Sequence, residues 1–87
     1  MIKKTYKIVN EQGLHMRPAG IVAGELGKFQ SEVIINFNGN EVNAKSIMNL
    51  MAACIKCGSE IEITFNGEDE EKACEKFEEL YSNNFGD

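Results

Sequence analysis

The sequence predicts an α+β fold of order β-α-β-β-α-β-α, a four-stranded antiparallel sheet with three helices on one face, and three observations carry it. Residues 60 to 65, Glu-Ile-Glu-Ile-Thr-Phe, alternate polar and apolar without a fault, the mark of a strand with one buried face and one wet face. Asn38-Gly39 sits between two β-rich runs and is a dipeptide that tolerates the positive φ values of a type I′ hairpin turn. Ala73, Cys74, Phe77, Leu80 and Tyr81 form an apolar stripe at helical spacing behind Asp69, Glu70 and Glu71, acids that favour a helix start.

The remaining elements follow in chain order. Residues 2 to 9 supply Ile2, Thr5, Tyr6, Ile8 and Val9 and read as a strand ending in the polar turn Asn10 to Gly13. After Pro18, the residues Ala19, Val22, Ala23 and Leu26 recur at helical spacing, and Gly27 closes the first helix. Gly20 and Gly24 inside it are expected to permit close packing on the sheet. Residues 32 to 37 and 40 to 43 form the hairpin. Ser46 can accept an otherwise orphan backbone N–H, so it opens a second helix over residues 47 to 53. Asn66-Gly67 turns the fourth strand into the third helix. The first six elements match a split βαβ arrangement.

A chain of 87 residues, 43% hydrophobic and 26% charged, is expected to fold as one domain over residues 1–87 with a modest core. The N-terminus lacks the apolar region of a signal peptide, and no apolar run approaches the roughly 20 residues needed to cross a bilayer. Three cysteines do not make a secreted disulfide framework, so the expected compartment is the cytoplasm, without membrane insertion. The net charge of −5 argues against direct nucleic-acid binding, which phosphate neutralisation leads. Charge is also segregated. Seven basic and four acidic side chains give residues 1 to 58 a balance of +3, whereas two basic and ten acidic ones give residues 59 to 87 a balance of −8. The acidic part reads as the solvated face of the last helix, and the first part as a surface suited to anionic groups.

The scarcest residues are the most informative. The single His, single Arg and single Pro all fall within four positions, at His15, Arg17 and Pro18. His15 stands between a strand-ending turn and a helix, at or beside its N-cap. Free backbone N–H groups at Met16 and Arg17, the partial positive charge of the helix end and the Arg17 guanidinium fork can together hold a phosphate. An imidazole beside such a site can take up a phosphoryl group. Taken alone, a lone His at a helix start is usually a cap or a surface residue.

Gly13-Leu14-His15-Met16-Arg17-Pro18-Ala19 resembles the active-site motif of HPr, the histidine-containing phosphocarrier family of the bacterial sugar phosphotransferase system. Asn43-Ala44-Lys45-Ser46-Ile47-Met48 resembles that family's regulatory serine region, and length and element order match over essentially the whole chain. The resemblance implies a carrier rather than an enzyme, with no metal or cofactor of its own. His15 would accept a phosphoryl group on Nδ1 from phosphorylated enzyme I and pass it to sugar-specific IIA domains, with Arg17 pairing with the phosphate. It further implies phosphorylation of Ser46 by an ATP-dependent HPr kinase/phosphorylase. That phosphate would weaken enzyme I docking and create a surface for a catabolite-control transcription regulator.

Residues 47 to 55 are apolar at eight of nine positions, more than one stripe can bury. Leu50 is expected in the core, with Ile47, Met48 and Met51 around a partner-binding patch. Three positions depart from the family's usual residues. Gln12 is longer than the common small polar residue, Met16 replaces Ala or Thr, and Cys54 replaces glycine, which predicts an altered backbone beside the site. Cys54-Ile-Lys-Cys57 is a C-x-x-C at the end of a helix, the wrong context for a thioredoxin-like motif. Only Cys74 and His15, on distant elements, remain to complete a zinc site, so no metal is expected. Two other readings stay in view: a regulatory module acting mainly through Ser46, and a thiol-based redox or metal protein resting on the cysteines.

Overall fold

The computed structural model describes residues 1–86. Strand β1 (Ile2–Lys7) leads to helix α1 (Met16–Leu26), then to the hairpin β2 (Glu32–Phe37) and β3 (Asn40–Asn43). Helix α2 (Ile47–Ala53), strand β4 (Glu60–Asn66) and helix α3 (Glu70–Ser82) follow, and a 3-10 turn over Asn84–Gly86 ends the described chain. The strands lie in the order β1-β4-β2-β3, with every neighbouring pair antiparallel. The predicted α+β class and the order of its seven main elements hold, and the terminal 3-10 turn is an addition.

Alternation in β4 decides which face of the sheet is covered. Ile61, Ile63 and Phe65 are buried, and Ile63 and Phe65 pair in register with Ile35 and Val33 of β2, so one continuous apolar face forms across the two central strands. Helix α1 lays Pro18, Ala19, Val22, Ala23 and Leu26 into the core, α2 contributes Leu50, and α3 contributes Ala73, Cys74 and Phe77. Phe77 is fully buried, and its ring meets those of Tyr6 at 5.0 Å, Phe85 at 5.6 Å and Phe65 at 6.1 Å. Burying one such side chain contributes about 2–3 kcal/mol. Leu80 and Tyr81, at the end of the same stripe, are only partly covered.

Two local expectations change, at the end of β1 and at Gly20 and Gly24, and two helix ends add detail. Strand β1 stops at Lys7, although Ile8 extends the pairing by exchanging backbone bonds with Gly58 and Ser59. Gly27 does end α1, but with φ −62 in the right-handed region, and its N–H bonds to the Ala23 carbonyl. Gly20 and Gly24 do not serve close packing, because a Cβ at either position would meet no atom within 4 Å. Asp69 is the N-cap residue of α3, yet its side chain does not cap that helix. Its carboxylate instead accepts the Gln30 and Ser31 N–H groups, both at 2.9 Å, together with the Ser31 hydroxyl. Asn38 and Gly39 have φ of 52° and 80°, the two positive values a type I′ turn requires.

Candidate functional site

The loop from Asn10 to His15 is built from backbone contacts. The Gly13 N–H bonds to the Asn10 carbonyl at 2.9 Å, and the Leu14 N–H to the Ile55 carbonyl at 2.9 Å. Gly13 has φ 67, and a Cβ there would collide with the Ile55 carbonyl oxygen and lie 2.7 Å from Lys56 Cα. Glycine is therefore required twice over, by its torsion and by the closeness of the segment just past α2. Leu14 is buried and pins the loop to the core.

His15 is the N-cap residue of α1, with extended backbone at φ −79 and ψ −168. Its carbonyl accepts the Ala19 N–H at 2.9 Å, the first bond of the helix. Pro18, third in the helix, has no N–H, so the donors that α1 leaves at this end are the amides of Met16 and Arg17. Both residues are exposed. The half-buried His15 ring borders a hollow of about 440 Å³ that it lines with Val9, Asn10, Glu11, Gln12 and Asn84. Met16 and Arg17 stand at the helix end and are not among the residues lining that hollow.

Ser46 is the N-cap residue of α2, as its sequence context requires. Its Oγ accepts the Asn49 N–H at 3.3 Å and the Asn49 side-chain amide at 3.2 Å. Helix α2 is seven residues long, about 10 Å at 1.5 Å per residue. Ser46 thus opens one end of α2, whereas the His15 loop rests on Ile55 and Lys56 beyond the other. Along α2, Leu50 is fully buried, while Met48 is 81%, Ile47 47% and Met51 39% exposed. Met48 also borders a hollow of about 530 Å³ with Phe37, Val42, Asn49 and Ala53, between the hairpin and α2.

Cys54 ends α2 with φ 53 and ψ 47, the left-handed region that a glycine would occupy without strain. Cys54 thus stands in a conformation that favours glycine. Cys54 and Cys57 are exposed, and the Cys57 sulfur lies 3.8 Å from the Val9 carbonyl, whereas Cys74 is buried in α3. Among the described residues, no three His, Cys, Asp or Glu side chains group to hold a metal.

Sequence reasoning did not find that Asn84 lines the hollow. Asn10 is buried, and its side-chain amide donates to the Asn84 carbonyl at 2.8 Å, across 74 positions of sequence. Only the aromatic Phe85, near the end of the chain, signals that the terminus packs back.

Comparison with known proteins points to HPr and HPr-like proteins. The PTS-HPr family, described as "PTS HPr component phosphorylation site", matches residues 2–83. The chain is 39% identical over 85 residues to phosphocarrier protein HPr of Treponema pallidum, covering 98% of this chain and 97% of that one. It is 38% identical over 76 residues to the HPr-like protein Crh of Bacillus subtilis, with 87% and 89% covered. Its fold superimposes on a crystal structure of HPr from Thermoanaerobacter tengcongensis with a TM-score of 0.94 at 34% identity, covering 100% of this chain and 98% of that one.

Proposed function

The chain belongs to the HPr family of phosphocarriers, and from that premise we propose that its 87 residues act as one cytoplasmic carrier domain of the sugar phosphotransferase system. His15 accepts a phosphoryl group from phosphorylated enzyme I and passes it to sugar-specific IIA domains. Among the described residues no helix is long and apolar enough to cross a membrane.

The observation that carries this reading is the position of His15 as N-cap residue of α1, beside the two amides that the helix leaves without an internal acceptor. An imidazole nitrogen of His15 forms the new N–P bond as the bond from phosphorus to the donor group of enzyme I breaks, and the donor group keeps that electron pair. The charge spread over the equatorial oxygens is met by the Met16 and Arg17 amides, the positive end of the helix and the Arg17 guanidinium. Transfer onward reverses the same step against the acceptor. The phosphohistidine is thus formed and consumed once per cycle, so this protein is a carrier rather than an enzyme.

The exposed face of Ile47, Met48 and Met51 supports docking of enzyme I and the IIA domains, because flexible methionine side chains adapt to several partners. Ser46, next to that face, is the residue we assign to regulation by HPr kinase/phosphorylase. Its phosphate would lie at a helix start, which tolerates negative charge, and within reach of a catabolite-control transcription regulator.

The likeness to Crh favours a second reading, a regulatory module that acts mainly through Ser46. One experiment separates the two. The protein is incubated with enzyme I and phosphoenolpyruvate, and its intact mass is measured before and after acid. A single phosphoryl adduct that acid removes, absent from His15→Ala, is the expected result. No adduct under those conditions, with an acid-stable one appearing only on adding the kinase and ATP, would establish the regulatory module instead.

A further inference from the structure

The turn over Asn84–Gly86 is anchored at several points. Phe85 is 1% exposed, and its ring stands 5.6 Å from Phe77 and 5.9 Å from Tyr81. To reach that position the chain passes through two consecutive left-handed residues, Asn84 and Phe85, each with φ 52. A β-unbranched aromatic in that region costs about 1–2 kcal/mol, which the burial of its ring offsets. Gly86 has φ 82, and a Cβ there would come within 2.7 Å of Ile21 Cδ1, so the turn is also pressed against α1. The consequence of this anchoring is the placement of one carbonyl. The Asn84 oxygen accepts the Asn10 side-chain amide at 2.8 Å, and both residues line the hollow that His15 borders. The Asn10 carbonyl in turn receives the Gly13 N–H, two residues before His15.

We propose that this turn positions the phosphoryl-accepting loop: Asn10 is a positioning residue that couples loop 10–15 to the Asn84 carbonyl, and Phe85 is the anchor that holds the carbonyl in place. The inference rests on the carrier reading and deepens it. Neither residue touches the phosphoryl group. They fix the approach of the His15 ring, where small displacements carry large rate penalties.

The test uses full-length Asn10→Ala, Phe85→Ala and Phe85→Leu, with phosphorylated enzyme I as donor. Expected for Asn10→Ala is a fall of about tenfold in kcat for phosphoryl uptake, a size set by misplacing one reacting group. KM changes less than twofold, because the exposed face of α2 is untouched. Phe85→Ala behaves likewise and Phe85→Leu recovers most of the loss. Cooperative thermal unfolding confirms that each variant is folded. A second readout needs no phosphoryl transfer: amide hydrogen exchange at Gly13 and Leu14 becomes about tenfold faster in Asn10→Ala, while exchange in β4 is unchanged. Unchanged exchange at those two amides, or kcat within twofold of the parent, overturns the proposal. A parent protein that takes up no phosphoryl group sinks the carrier reading instead, and the exchange measurement still decides whether the turn controls the loop.

Discussion

Cys54 shows how a single residue is held where its own chemistry would not put it. An L-residue in the left-handed region costs about 1–2 kcal/mol, and Cys54 has φ 53 with only a long thiol contact, Sγ to the Met51 carbonyl at 3.8 Å, to lessen that cost. What holds it is the next residue, whose carbonyl must face the Leu14 N–H at 2.9 Å while Gly13 packs against it. Cys54 is visible in the sequence, but its torsion is not, because a contact with a loop some 40 positions earlier fixes it. Cys54→Gly is therefore expected to raise the unfolding free energy by about 0.5–1 kcal/mol, the strain released exceeding the freedom glycine adds to the unfolded chain. Urea unfolding under reducing conditions measures it, and an equal or lower midpoint would contradict the strain argument. Gly13 is the converse case. The motif displays the glycine, yet only the fold supplies the reason, a backbone neighbour too close for any side chain.

Periodicity made the elements legible wherever one face of an element meets the core. The stripe of α1 and the alternation of β4 each follow from a repeat matched to its secondary structure. Chain reversals governed by one torsion were legible only where their dipeptide is diagnostic, as at Asn38-Gly39. The turn at Asn84–Gly86 has no such signature, since nothing local favours Phe85 in the left-handed region, and a distant aromatic cluster determines it. Helix α1 gives the clearest misreading: two interior glycines suggest close approach, and the space beside both is open. Gly24, exposed and in the body of the helix, is thus a source of unfolded-state entropy with no packing return. Gly24→Ala should stabilise the protein by about 0.5–1 kcal/mol, and thermal or urea unfolding that shows a loss would mean that the helix needs the glycine after all.

Over the whole molecule, the charge segregation seen along the chain becomes pairing in space. The basic first strand lies beside β4, with α3 packed near it. Accordingly the N-terminal amine meets Glu70 at 2.8 Å, Lys4 meets Glu78 at 3.4 Å and Lys3 meets Glu62 at 3.9 Å. The balance of +3 in the first two-thirds is in part internally compensated, rather than being a surface held wholly for anionic partners. These pairs are largely solvent-exposed and contribute little to stability. Asp69 is different, because it ties the start of α3 to the start of β2. Its carboxylate takes the Ser31 hydroxyl and the Gln30 and Ser31 N–H groups, and Lys45 Nζ secures the same strand start by donating to the Phe29 and Ser31 carbonyls at 2.8 and 3.1 Å. The Ser31 hydroxyl foremost, with the Gln30 amide, lowers the Asp69 pKa below its ordinary value, since these donors favour the charged carboxylate. Unfolding releases them and restores the ordinary value near 4, so at low pH the unfolded chain binds the extra proton first. Stability from this group is therefore complete above the ordinary aspartate range and is lost as pH falls through the lower folded-state value. In Asp69→Asn one carboxylate oxygen is replaced by an amide donor, which faces the Gln30 N–H when the remaining oxygen keeps the Ser31 N–H and hydroxyl. The variant is expected to melt at lower temperature at neutral pH, and its melting temperature should fall less than the parent's between pH 6 and about pH 3. Glu25 and Glu70, also held below their ordinary values by hydrogen bonds to Lys28 and the N-terminal amine, keep the remaining slope from vanishing. Equal acid slopes in variant and parent would show that the tie between β2 and α3 does not govern acid unfolding.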